Sequence, residues 1–331
     1  PGGQSADDAL SLDEPPLPQR IQDPPWRITM YWENDGQYFK PNDPTDEQYT
    51  NGTAFSAAGP APIADDIGSW VPFSDHFDDP QYRLGFIVAL QIFTPDDLST
   101  TALITDDRPY AGYLYVGSWW QRSDDRTMDR IELDFGTIGP ASGAEGAQKW
   151  IHEHITDDPE PMGWDNQLGN EIQFDAKLQR KWRFNLYEAD RDFAVQIIPN
   201  AALTLGTAHR NVGGDVTLRA GWGIPDDFGP TRLAEPSVPV DTWRDDFGFY
   251  GFIRVGGAWV QHDVMLDGNN WRDSYSIDKE PLVGELQAGI VVRVYRYFQF
   301  GYSQTFLTPQ FKGQGDGHSY GAYTFGLSIP F

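Results

Sequence analysis

The sequence predicts an all-β fold: an antiparallel transmembrane β-barrel of about twelve strands, with a short helix in an extracellular loop. Three observations predict it. Segments of roughly ten residues alternate in polarity between turn-rich stretches, the repeated signature of a membrane barrel. Trp (12), Tyr (15) and Phe (20) are plentiful, and aromatics gather near segment ends at Trp119, Trp120, Trp182, Tyr295, Tyr297 and Phe298, as an interfacial girdle requires. The chain given ends on Phe331 within an alternating segment, and a terminal aromatic resembles the C-terminal signal of bacterial outer-membrane proteins. No stretch approaches the roughly 18 apolar residues of a transmembrane helix, so any membrane is crossed by strands.

Residues 1–25 carry six prolines, several acids and little apolar periodicity, which reads as a flexible N-terminal leader. The barrel is then expected over 26–331 as one unit. Its strands are placed at about 27–34, 50–57, 83–93, 111–121, 131–137, 170–183, 193–208, 214–222, 249–262, 283–295, 298–307 and 319–331. The pattern is clearest in Gly284–Tyr295, where Leu286, Ala288, Ile290, Val292 and Val294 share one face against Glu285, Gln287 and Arg293. Tyr323, Phe325, Leu327, Ile329 and Phe331 form a second apolar face, and Leu84, Phe86, Val88, Leu90 and Ile92 a third. Val195, Ile197, Leu203 and Leu205 stand likewise against Gln196, Asn200 and Thr204. A soluble sandwich also alternates, but the aromatic girdle and terminus favour lipid over a buried core.

With both termini in the periplasm, connections after odd-numbered strands face outward: 35–49, 94–110, 138–169, 209–213, 263–282 and 308–318. Parity makes 58–82 and 223–248 periplasmic, where turns are normally short, so one of them is expected to hide a strand. Ser142 and Glu145 fit a capping box ahead of Gln148, Ile151, His152 and Ile155, which predicts a helix over about 143–155 at the barrel mouth.

Composition removes several function classes. There are no cysteines, so disulfides, thiolate metal sites and a Cys nucleophile are excluded. Twenty-four Lys+Arg against 49 Asp+Glu give a net charge of −25, which disfavours nucleic acid and suits a divalent cation or simple solubility. The six histidines include no H-E-x-x-H pair, and neither a G-x-S-x-G elbow nor a phosphate loop occurs.

Parity gathers the remaining candidates at one rim. Asn34 and Asp35 end the first strand, Thr50 opens the second, and the helix bearing Gln148 and His152 follows the fifth. Oxygens from Asn, Asp and Thr make a hard cation site suited to calcium, and a histidine beside it is placed to deprotonate water. Singly, each residue has a bland reading: Asn34-Asp35-Gly36 is a turn sequence, Thr50 a common strand residue, His152 a solvated helix residue. Their convergence is what points to chemistry.

At these residues the chain resembles the outer-membrane lipid A 3′-O-deacylase family. The matching stretches are Glu33-Asn34-Asp35, Tyr49-Thr50-Asn51-Gly52, Asp107 to Gly112 (DRPYAG), Gly136 to Pro140, Gln148 to His152 (QKWIH) and Trp164-Asp165-Asn166-Gln167, in order. The resemblance implies a twelve-stranded outer-membrane barrel whose site lies between the wall and an extracellular helix. There Ca2+ and a histidine base cleave an ester-linked acyl chain from lipid A of lipopolysaccharide. It implies that Asn34, Asp35 and Thr50 surround the metal, that Gln148 is a supporting polar residue and that His152 is the base. An acidic residue after the histidine completes the set, with Glu160 favoured, Asp158 next and Asp157 a further candidate. Loop 94–110 lacks the lysine that some members place there to meet a lipid A phosphate.

The partners expected are lipid A and outer-membrane lipids, no nucleic acid, and no second subunit, the chain acting as a monomer. The alternatives are a calcium-dependent outer-membrane phospholipase and a non-enzymatic barrel or porin. The porin would carry an open lumen, whereas twelve strands leave a narrow one that Arg254, Glu285 and Arg293 can fill.

Overall fold

The computed structural model describes residues 26–35, 48–71, 76–156, 159–189, 193–236, 247–295 and 297–329; the leader and the terminal Phe331 lie outside the described residues. Twelve antiparallel strands form one sheet that closes on itself. In order they are β1 (Trp26–Asn34), β2 (Gln48–Gly59), β3 (Gln81–Thr94), β4 (Ala111–Ser123) and β5 (Thr127–Ile138). Then β6 (Glu171–Trp182) continues past Arg183 as Phe184–Ala189, and both parts pair with β7 (Phe193–Gly206). The remaining strands are β8 (His209–Trp222), β9 (Phe247–Asp263), β10 (Leu282–Val294), β11 (Phe298–Leu307) and β12 (His318–Ile329). Closure comes from β1 pairing with β12, from Trp26↔Ile329 to Asn34↔Gly321. All twelve expected strands are present. β8 starts at His209, so the expected connection 209–213 is strand, and the β7–β8 turn shrinks to Thr207 and Ala208.

Two media set the faces. Leu286, Ile290, Phe325, Leu327, Phe86 and Val88 are exposed on the wall, while Gln287, Arg293, Thr324, Ser328, Gln196 and Arg254 are buried in the lumen. Tyr295, Tyr297, Phe298, Trp222 and Phe247 are exposed at the rim that carries the termini, as a girdle requires. Trp119 is not part of that girdle: it points into the lumen, buried, with the Arg130 guanidinium 4.3 Å from its ring. Its neighbour Trp120 is covered by α1 (Pro62–Gly68), donating from Nε1 to the Ala64 carbonyl at 2.8 Å.

That helix corrects the expectation for 58–82, whose described part holds no extra strand. The connection 223–248 departs further. Its described part, up to Pro236, folds into the lumen, where Asp227, Phe228 and Leu233 are buried. Arg232 reaches Glu285 on β10 at 2.7 Å and Glu235 at 2.7 Å, and Lys181 on β6 reaches Glu235 at 3.0 Å. Asp227 pairs with Arg219 of β8, and Tyr31 meets the Thr231 hydroxyl at 2.8 Å. The long connection is thus a plug, and its charges are matched by luminal charges that no hydrocarbon could solvate.

The helix expected over 143–155 is α2 (Ala144–Ile151), wound on as a π-helix over His152–Thr156. The capping box does not form. Gly143, at φ 75°, is the N-cap, and Ser142 Oγ donates to the Gly139 carbonyl at 2.7 Å and accepts from Ala144 N–H. A left-handed turn is needed there to bring the chain back over the wall, and glycine supplies it without strain.

The plug predicts a silent channel. In planar bilayers the intact protein should show no steady conductance, and Arg219→Ala with Arg232→Ala should open discrete steps by releasing the plug from β8 and β10. Steady conductance of the intact protein at the level of its double variant would rule the plug out.

Candidate functional site

Strand register builds the wall half of the site. Asn34, Asn51, Ile92 and Gly112 are successive partners across β1, β2, β3 and β4, so their side-chain positions share one face. That face is the outer one, since Ile28, Trp32, Phe86 and Val88 on the same parity are exposed. The pairing slips between Tyr49 and Asn51, leaving Thr50 as a bulge residue. A bulge re-aims a side chain, and Thr50 Oγ1 lies 2.6 Å from Thr94 Oγ1. The Thr50 carbonyl accepts from Asn34 Nδ2 at 3.1 Å and from the Asp35 backbone N–H at 3.4 Å. Asn34, Asp35 and Thr50 are therefore brought together, with Asp35 and Thr50 buried. Because the Asn34 amide nitrogen faces that carbonyl, its oxygen is turned the other way.

The second half is α2, seated on the outside of the wall at the rim opposite the termini. A Cβ on Gly112 would come within 2.2 Å of Ala144 Cβ and of Ser142 Oγ, so this glycine is the seat. Ile92, Tyr110, Ala144 and Trp164 bury one another there, with Leu90, Leu98 and Ala147 packed around them. Ala144, Gln148 and His152, spaced by four, form the buried stripe of the helix. His154 is exposed instead, stacked on Trp150 at 5.2 Å between ring centres.

His152 Nδ1 lies 2.7 Å from the Pro159 carbonyl. A carbonyl only accepts, so Nδ1 carries the proton and the neutral ring keeps its lone pair on Nε2. Gln148 Oε1 accepts from Trp164 Nε1 at 2.8 Å. Glu160 is exposed (69 %) and paired with Lys149 at 2.9 Å; Lys149 also meets Glu145 at 3.0 Å. Hydrogen bonds from Lys149 to Glu160 and Glu145 raise the lysine pKa. Asp157 and Asp158 lie outside the described residues.

Arg108, in the loop between β3 and β4, is buried with its guanidinium 4.9 Å from the Phe93 ring, which packs on the luminal side. Burial lowers its pKa, while Asp263, Asp107 and Asp96 oppose the shift. Tyr110, packed on Trp164 at 5.0 Å, is pushed up to about 12 by burial. A cavity of about 360 Å3 is elsewhere: it lies in the lumen above the plug, between Tyr113, Asp175, Lys177, His209, Asp215 and Glu285. None of Asn34, Asp35, Thr50, Gln148 or His152 lines it.

For a cation, the donor chemistry fits a hard ion: Asn34, Asp35 and Thr50 offer oxygens only, one of them a buried carboxylate. Among the described residues no three His, Asp or Glu side chains cluster as a metal site, and Asp35 is the carboxylate grouped with the Asn34 and Thr50 oxygens. Thr94, Pro159 and Trp164 join these candidates through contacts that the fold creates. Only Trp164 had a signal, through its Trp-Asp-Asn-Gln motif; the others act through a bulge and a backbone carbonyl.

The sequence profile of the family described as outer membrane protein LpxR matches residues 7–329. A search among curated proteins gives no match. Among solved structures, LpxR from Salmonella typhimurium is similar at a TM-score of 0.75 and 18% identity, covering 92% of this chain and 100% of that one. The β domain of the Bordetella autotransporter BrkA is matched at a TM-score of 0.43 and 12% identity, with 93% of this chain and 99% of that one covered. The translocator domain of the autotransporter NalP from Neisseria meningitidis is matched at a TM-score of 0.42 and 10% identity, with 92% and 88% covered.

If Gly112 is the seat of α2, Gly112→Val should lift the helix without opening the sheet. Limited proteolysis should then cut within 140–163 at least tenfold faster while heat-modifiable electrophoretic mobility is retained. Unchanged cleavage would show that the helix is held by other contacts.

Proposed function

Because the chain belongs to the LpxR family of outer-membrane lipid A 3′-O-deacylases, we propose that it hydrolyses the ester holding the 3′-acyloxyacyl chain of lipid A, with His152 as general base. On this reading the rim bearing α2 faces the cell exterior, where lipopolysaccharide lies, and substrate enters laterally because the site sits on the wall's outer face. What carries the reading is a buried histidine whose Nδ1 is committed to the Pro159 carbonyl, on the helix stripe turned to the wall.

The reach of the helix supports it. From Ala144 to His152 the axis advances about 12 Å, at 1.5 Å per residue. The row from Gly112 on β4 to Asn34 on β1 crosses three strand spacings, about 14 Å. A helix seated on Gly112 and contacting β4 and β3 is thus long enough to carry His152 towards Asn34 and Thr50.

His152 Nε2 takes a proton from water as the water oxygen bonds to the ester carbonyl carbon. Collapse of that adduct breaks the bond to the lipid A oxygen, which leaves as a hydroxyl with the proton from Nε2, and the acyl chain departs as a carboxylic acid. Asn34, Asp35 and Thr50, with Glu160 or Asp158, would hold Ca2+. When bound, the ion supplies positive charge that stabilises negative charge developing on the ester oxygen. Glu160 would have to leave Lys149 to join them.

Incubation of the purified protein with lipid A and calcium, followed by mass spectrometry, should show loss of one acyloxyacyl unit. Release of fatty acid from phospholipid alone would favour the phospholipase alternative. His152→Ala should lower the rate by roughly two to four orders of magnitude in a folded barrel, the usual range for a lost general base. His154→Ala should keep most activity, and equal tolerance of both changes would exclude this base. Titration calorimetry on Asp35→Ala should show lost calcium binding, whereas an unaltered isotherm would remove Asp35 from the ligand set.

A further inference from the structure

The Trp-Asp-Asn-Gln motif is not absorbed by the base and cation roles, yet its Trp164 is buried to 2% exposure against the candidate site. Gln148 is equally buried, at 2%. A carboxamide has a donor end and an acceptor end of nearly the same shape, so its orientation is fixed only by a partner of single polarity. The indole N–H is such a partner, because it can only donate. Its 2.8 Å bond to Oε1 turns the Gln148 NH2 group away from the indole. That Nε2 is buried and has no hydrogen-bond partner among the described residues. It sits one helical turn before His152 on the same stripe.

Trp164 is itself clamped. It opens a 3-10 turn over Trp164–Asn166, and the Asn166 side chain donates to the Thr101 carbonyl at 2.9 Å. The Leu168 N–H donates to the Tyr110 carbonyl at 3.0 Å, and the Tyr110 ring lies 5.0 Å from the indole. A Cβ at Gly163 would come within 2.4 Å of the Tyr110 ring, so the turn is packed directly on it.

We propose that Trp164 is a positioning residue that locks the Gln148 carboxamide so that Nε2 donates a hydrogen bond to the substrate's ester carbonyl oxygen. Negative charge grows on that oxygen as water adds, so a donor already oriented is worth more in the transition state than in the ground state. The role rests on reading His152 as the base of this site.

The test is a double-substitution cycle with Trp164→Phe, which keeps an aromatic ring and removes the N–H. Gln148→Ala should lower kcat by roughly 100- to 1000-fold, the range for one lost oxyanion donor. Trp164→Phe should lower it by about tenfold or more with little change in KM, and should add nothing in the Gln148→Ala background. Gln148→Glu, which still accepts from the indole but no longer donates, should be as impaired as Gln148→Ala. Indole N–H resonances from 15N-labelled protein give an independent readout. The Trp164 signal, assigned by its absence in Trp164→Phe, should stay downfield in Gln148→Glu and move upfield in Gln148→Ala. An equal loss from Trp164→Phe in both backgrounds would overturn the proposal, as would an active Gln148→Glu or an indole signal indifferent to residue 148. Wild-type activity in His152→Ala would instead defeat the underlying reading while leaving the indole result intact.

Discussion

Hydrocarbon offers no hydrogen-bond partners, so every backbone N–H and C=O crossing it has to be paired within the protein, and a sheet can meet that demand only by closing. The β1–β12 ladder performs the closure here, and much of the architecture follows from it. Once the sheet is a cylinder, alternate residues are committed to lipid or to lumen along every strand. Register then becomes functional. Because Asn34, Asn51, Ile92 and Gly112 are partners in one row, a single face of the wall collects polar groups at β1 and β2 and a seat for a helix at β4. A slip of one residue would send that row into the lumen.

The lumen obeys a second consequence of the same constraint. Twelve strands enclose a space too narrow for bulk water to solvate charges freely, yet Arg254, Arg219, Asp215 and Glu285 all point into it. Their neutralisation is mutual: Arg219 with Asp227, Arg232 with Glu285, and Lys181 with Glu235. In each pair one partner belongs to the connection between β8 and β9. Removing one member of such a buried pair would strand the other, at about 3–5 kcal/mol, so the plug and the wall hold each other in place. A porin would need an open lumen, whereas among the described residues the segment up to Pro236 occupies it with charges paired to the wall.

What the sequence made legible is what these two media impose. The alternation in Gly284–Tyr295 and in Leu84–Ile92 was readable because lipid and lumen select opposite residue types, and the twelve strands followed from it; the helix was readable from the three- and four-residue spacing of Gln148, Ile151 and His152. The rim grouping of Asn34, Asp35 and Thr50 was readable from strand parity. Features set by tertiary contact were not. Trp119 has the composition of a girdle residue, but parity turns it onto Arg130. Ser142 and Glu145 have capping-box spacing, but Gly143 in the left-handed region moves the helix start and Glu145 goes to Lys149. The plug is held by charge pairs with the wall, two of which, Lys181 with Glu235 and Arg232 with Glu285, join residues far apart in sequence, so no local period marks it. The group that orients His152 is a backbone carbonyl, for which residue type carries no signal.

Gln148 and His152 share a chemical difficulty. Each can present a donor or an acceptor from nearly the same position, a carboxamide by flipping and an imidazole by changing tautomer. A catalytic site needs one choice made before substrate arrives, since a group that must reorganise during reaction loses much of its benefit. In both cases the choice is made by a partner with one polarity: the Pro159 carbonyl, which only accepts, and the Trp164 indole, which only donates. Both partners lie in the segment that returns from α2 towards β6. Lys149 ties that segment to the helix through Glu160, the residue after Pro159. The return is therefore the element that sets the polarity of the helix stripe.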